Sequence, residues 1–242
     1  MSQQNSALLT AAPTSFATGY VDLDRRFGDL SDSDMDEVAE RASSDHWHYE
    51  GSPSWDELLQ SQRVVIFAEA GSGKTWDMRA QVARLSRDNR AAFFVPLEAL
   101  NAEGLRDYLA MEPVSVARFD AWLSQPDEVA WIFLDAVDEL KLTTGTLDRA
   151  LGKVVRDVGL ARSRLRVILS CRPTDWRPVE DKETFLSRLP LNDPTQNRPE
   201  DAPSDEDAFL APLQQKQRKE EKPAEKEIPA FRMVVLLPLN GD

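Results

Sequence analysis

Residues 63–75, RVVIFAEAGSGKT, set a continuous apolar run directly against a loop with two closely spaced glycines that ends in Lys74-Thr75. An unbroken run of this kind is expected of a strand covered on both faces. Gly71 and Gly73 let the backbone curl so that successive N–H groups converge on an anion. Beyond them, Thr75–Arg87 places Met78, Val82 and Leu85 at helical spacing, which predicts a helix whose N-terminus adds its positive end. Strand, glycine loop and helix in this order predict a phosphate-binding loop with Ala68 at its first position. The backbone of Ala70, Gly71, Ser72, Gly73, Lys74 and Thr75 would then surround the phosphates of a nucleotide. Lys74 would reach the β- and γ-phosphates, and the Thr75 hydroxyl would ligate Mg²⁺.

Further runs of the same character follow. With Arg63–Ala68 as the first, the others are Ala91–Pro96, Ala130–Asp135, Leu165–Ser170 and Phe231–Leu237. Between the third and fourth, Leu147–Leu160 spaces Leu147, Leu151, Val154, Val155 and Val158 as one helical face. Strands alternating with helices imply crossover connections and a parallel sheet, so the expected class is α/β with five strands. Ser54-Trp55-Asp56-Glu57 has capping-box spacing and predicts a short helix leading into the first strand.

Two strand ends carry candidate chemistry. Asp135 closes the third run, at the sheet edge where ligands of open α/β sheets bind, and a carboxylate there would hold a phosphate-bound Mg²⁺. Asp138 and Glu139 are expected on the loop that follows, placed to polarise an attacking water, although acids after a strand also serve as helix caps. The fourth run ends Ser170-Cys171-Arg172, where Arg172 either reads the γ-phosphate through a bidentate contact or pairs with a neighbouring carboxylate. Cys171, in an apolar run, is expected to be buried and inert. His46 and His48 lack the companion ligands of a metal site. There is no Asn-Lys-x-Asp motif, and the third run ends in DAVD rather than DxxG, both of which argue against a Ras-like GTPase.

The charge distribution agrees with this division. The 242 residues hold 29 basic and 42 acidic side chains, a formal charge of −13. Residues 1–60 hold 3 basic against 12 acidic, whereas residues 61–176 hold 16 of each. The block with the motifs is therefore neutral, and the excess acid lies outside it. The total argues against a simple basic nucleic-acid binder, and direct nucleic-acid binding is not indicated. One cysteine excludes an internal disulfide framework. The apolar runs Val129–Leu134 and Met233–Leu239 are far short of the roughly 20 residues of a membrane span, and the N-terminus lacks a basic, then apolar, secretory pattern. A cytoplasmic protein without a membrane partner is expected. Eight prolines between Pro178 and Pro229, and the run QQKQRKEEKPAEKE, mark 190–229 as a flexible insertion with at most a short helix over Asp205–Lys219.

Together, AEAGSGKT (68–75), WIFLDAVDEL (131–140) and VILSCRPTDW (167–176) resemble a NACHT-type P-loop NTPase of the STAND class. A small residue after the Mg²⁺ aspartate, then acids three and four positions on, matches that family at Ala136, Asp138 and Glu139. The resemblance spans roughly residues 55–176 and 231–239. It implies a P-loop NTPase three-layer sandwich with sheet order 5-1-4-3-2. It also implies an ATP/ADP switch requiring Mg²⁺, slow hydrolysis, and a role in signalling or bacterial antiphage defence, with oligomerisation or a separately encoded effector or sensor as partner. The expected organisation is an acidic lead-in at 1–54 and a NACHT-like domain at 55–239. The family's helical domain would begin where this sequence stops, so a fragment, a split gene product or a reduced module is expected. A non-hydrolysing ATP-binding subunit is the alternative function, and a P-loop kinase a lesser one. Trp55 and Pro238 are read as neighbours of the base.

Overall fold

The computed structural model describes residues 25–31, 34, 52–142, 145–192 and 228–237. His46, His48, Pro238, the helix considered over Asp205–Lys219 and nearly all of the 190–229 insertion lie outside the described residues. In chain order the strands are β1 Phe27–Leu30, β2 Arg63–Phe67, β3 Ala91–Pro96, β4 Ala130–Asp135, β5 Leu165–Cys171 and β6 Phe231–Leu236. The helices are α1 Trp55–Leu58, α2 Lys74–Arg87, α3 Ala99–Ala102, α4 Leu105–Leu109, α5 Pro113–Leu123, α6 Val137–Leu142, α7 Leu147–Val158 and α8 Glu180–Arg188.

The chain folds as an α/β domain around a sheet of order β1-β6-β2-β5-β4-β3. The expected count of five strands is corrected here, because β1 adds a sixth at the edge; the five expected strands keep the order 5-1-4-3-2 beside it. It comes from the acidic lead-in and runs antiparallel to β6, pairing Phe27 with Leu236 and Leu30 with Met233. The remaining neighbours, β6-β2-β5-β4-β3, are all parallel.

Alternation along the parallel strands divides the core into two layers. Val65, Phe67, Ile132, Leu134, Val167, Leu169 and Val235 face the side covered by α5 and α7. Val64, Ile66, Trp131, Phe133, Ile168 and Val234 face the side where α1 and α2 bury Leu58, Met78 and Leu85. Both faces are covered, which explains why these strands read as unbroken apolar runs. The capping box of α1 is formed, with Ser54 N–H donating to Glu57 Oε2 at 2.8 Å. Thr146 caps α7, its hydroxyl accepting from Arg149 N–H at 3.2 Å. Trp55 is packed rather than open to a base. Its ring meets Phe27 edge-on at 5.0 Å, and the gap it shares with Met78 and Leu236 leaves no room for a water molecule.

Candidate functional site

The site forms at the carboxyl ends of β2, β4 and β5, which lie side by side. β2 leads into the loop 68–73, and α2 begins at Lys74. Gly71 and Gly73 have φ of +76° and +90°, the left-handed region that residues with a Cβ avoid. The first intrahelical bond is from Asp77 N–H to Gly73 O at 3.0 Å. The N–H groups of Lys74, Thr75 and Trp76 therefore lie ahead of the helical ladder, at its positive end. The Lys74 ammonium donates to Ala68 O at 2.7 Å and Glu69 O at 3.1 Å. Burial lowers its pKa, while Asp138 and Asp135 act in the opposite direction.

Asp135 is the centre of a compact oxygen cluster. Its Oδ2 accepts from Thr75 Oγ1 at 2.6 Å and its Oδ1 from Ser170 Oγ at 2.5 Å. Ser170 in turn accepts from Ala136 N–H at 2.9 Å. β5 lies between β2 and β4, so the Thr75–Asp135 contact ties the glycine loop to β4 across the intervening strand. A hydroxyl and a carboxylate converging in this way form a hard-oxygen pair suited to Mg²⁺. Among the described residues no group of three or more His, Cys, Asp or Glu is arranged for a metal ion. Two protein ligands with the rest supplied by phosphates and water is the usual Mg²⁺ arrangement, so the residues present fit that ion.

Asp138 and Glu139 stand in the first turn of α6, and not on a loop as expected from the sequence. The reason is Ala136, whose φ of +64° turns the chain at the end of β4 so sharply that the helix starts one residue later. Asp138 is buried and its Oδ2 lies 2.8 Å from Arg172 Nε. Of the two arrangements the sequence leaves open for Arg172, the structure holds the carboxylate pair, with the arginine side chain still 39% exposed. Glu139 is exposed. Its pKa is raised, by desolvation first and then by Asp138, Glu98 and Asp135. Lys74, Thr75, Asp135, Asp138, Glu139 and Arg172 are thus gathered at one sheet edge. Cys171 is fully buried and its thiol pKa is driven upward by that burial, which suits an inert residue.

Two contributors have roles that the sequence does not show. Ser170, a polar residue at the strand tip that the sequence would place toward the γ-phosphate, instead fixes the Asp135 carboxylate. Arg25, far upstream in the acidic lead-in, donates from Nη2 to Ser72 O at 3.0 Å. No family model and no curated protein matches this chain.

Proposed function

We propose that this chain is a Mg-ATP-binding module of the P-loop NTPase type that hydrolyses ATP slowly. The observation that carries the reading is the 2.6 Å contact between Thr75 and Asp135, made beside a loop whose two glycines are left-handed. In this reading the N–H groups of residues 70–75 receive the phosphates, and Lys74 neutralises the β- and γ-phosphates. Thr75 and Asp135 would hold Mg²⁺, which supplies charge neutralisation on the phosphate oxygens when bound. Glu139 is the base for the attacking water; it is exposed, and its raised pKa makes it a stronger proton acceptor than an ordinary glutamate. Arg172 leaves Asp138 to contact the γ-phosphate, so that the ion pair and the triphosphate compete for one guanidinium.

The three motifs also support a NACHT-type STAND reading, and with it a nucleotide switch in signalling or antiphage defence. Adenine is preferred over guanine because of that resemblance and the lack of guanine-reading motifs. The parallel arrangement, with the loop strand β2 beside the arginine-bearing β5, supports the P-loop type of sandwich. Equilibrium binding of Mg-ATP combined with phosphate release is the test. Binding and release, with release abolished by Glu139→Gln, supports the hydrolase. Tight binding without release at high protein concentration would select the non-hydrolysing alternative.

A further inference from the structure

Arg25 belongs to a strap that is fixed independently of the glycine loop. Phe27 N–H donates to Pro53 O at 3.1 Å, Leu237 N–H donates to Arg26 O at 3.1 Å, and β1 pairs along its length with β6. Because β1 is antiparallel to β6, this anchoring delivers Arg25 to the edge where the parallel strands end. There its Nε lies 2.9 Å from Asp77 Oδ2, in an ion pair whose side chains are only 9% and 3% exposed. The same guanidinium reaches Ser72 O through Nη2 at 3.0 Å. A Cβ placed on Gly73 would stand 3.0 Å from that nitrogen, so Arg25 lies flush against the loop.

The consequence follows from peptide geometry. In a trans peptide the C=O and the N–H of the next residue point in opposite directions. Holding Ser72 O on the Arg25 side therefore aims Gly73 N–H at the opposite side of the loop. Gly73 has no side chain to oppose a rotation of this peptide, and glycine accepts either sign of φ. A buried guanidinium that is itself fixed by Asp77 supplies the missing restraint.

We propose that Arg25 is a positioning residue for the phosphate loop, locking the Ser72–Gly73 peptide so that Gly73 N–H faces the polyphosphate. The proposal rests on reading residues 68–75 as a phosphate loop. It makes the strap from the acidic lead-in part of the nucleotide site through the loop it holds. The strap and the ligand are then coupled: bound phosphate favours the docked strap, and displacement of the strap weakens binding.

The experiment uses the full chain and Mg-ADP as probe. Arg25→Met/Asp77→Leu replaces the buried pair by apolar side chains of similar size, a change that folds commonly tolerate. Arg25→Gln/Asp77→Asn is the second variant, keeping polar groups in place should the first not fold. Affinity is measured by calorimetry, and the Gly73 amide is followed by ¹⁵N NMR before and after ligand. Loss of one fixed hydrogen bond to the loop is expected to weaken Mg-ADP binding about tenfold and to move the Gly73 amide signal in the free protein. Wild-type affinity with an unmoved Gly73 signal, in a folded variant, would overturn the proposal and leave the phosphate-loop reading intact. Absence of Mg-ADP binding by the wild-type chain would instead overturn that reading, and this proposal with it.

Discussion

Two ends of the same sheet use arginine in opposite ways. At the amino ends of the strands, Arg63 is completely buried and donates to four carbonyls, Gln62 O, Leu165 O, Leu189 O and Pro190 O, at 2.6–3.0 Å. Burial lowers its pKa to about 10, so it remains a cation at neutral pH. At the carboxyl ends, the Arg172 side chain is 39% exposed and held by one carboxylate, Asp138. A guanidinium held by four backbone carbonyls in the interior is out of reach of a ligand and serves as a clamp. A guanidinium on a single acid can exchange that acid for an anion. Net charge therefore says little about which arginines are accessible from solvent.

The largest effect is expected at the clamp. Arg63→Ala removes the donor from two buried carbonyls, Leu165 O and Leu189 O, empties the space of a fully buried side chain, and should cost about 3–5 kcal/mol of stability in urea denaturation. A loss below about 1 kcal/mol would mean that the two ends do not differ as described. At the other end, Glu139→Gln should lower turnover by at least about a hundredfold with little change in stability. The wild-type pH–rate profile gives a second check. Because the Glu139 carboxyl titrates above the ordinary glutamate range, activity should fall as pH drops through that raised value, and this acid limb should vanish with the substitution.

How far the sequence reveals these elements depends on their burial. β2, β3, β4, β5 and β6 are legible to within a residue, because strands covered on both faces have no polar alternation to confuse their limits. β1 is not, since four residues, FGDL, in an acidic stretch carry no run long enough to read. The short helices α3 and α4 likewise have too few turns to show a period. Site residues on strand ends and in the glycine loop are legible because local chemistry dictates them. The Arg172–Asp138 pair is legible only as one of two options, since choosing between them needs the turn at Ala136. Arg25 is invisible, because the edge pairing of β1 brings it to a loop 47 residues away.

Smaller effects are expected elsewhere at the two ends. Arg172→Ala should weaken Mg-ATP binding about tenfold and leave Mg-ADP nearly unchanged, because only the triphosphate offers a γ-phosphate; charge-assisted contacts of this kind have that magnitude. Equal loss for both nucleotides would assign Arg172 to structure, like Arg63. The smallest change concerns the clamp end. Asn192 exchanges two hydrogen bonds with the Gln62 side chain, at 2.7 and 3.1 Å, while Gln62 and Arg63 N–H groups donate to Ala230 O. Residues 192 and 230 are thus brought together by folded core. Replacing 193–227 with a short Gly/Ser linker should alter stability by about 1 kcal/mol, in the stabilising direction expected of a shorter loop. A large loss in denaturant titration would show that the removed residues contribute to the fold.

Calorimetric titration of wild-type and Lys74→Ala protein decides whether the loop at 68–75 binds the phosphates of Mg-ATP. Saturable Mg-ATP binding by the wild type, weakened at least about a hundredfold in a Lys74→Ala protein of unchanged melting temperature, is the expected result for loss of a cation from such a loop. Equal binding by the two proteins, or none by the wild type, would contradict it.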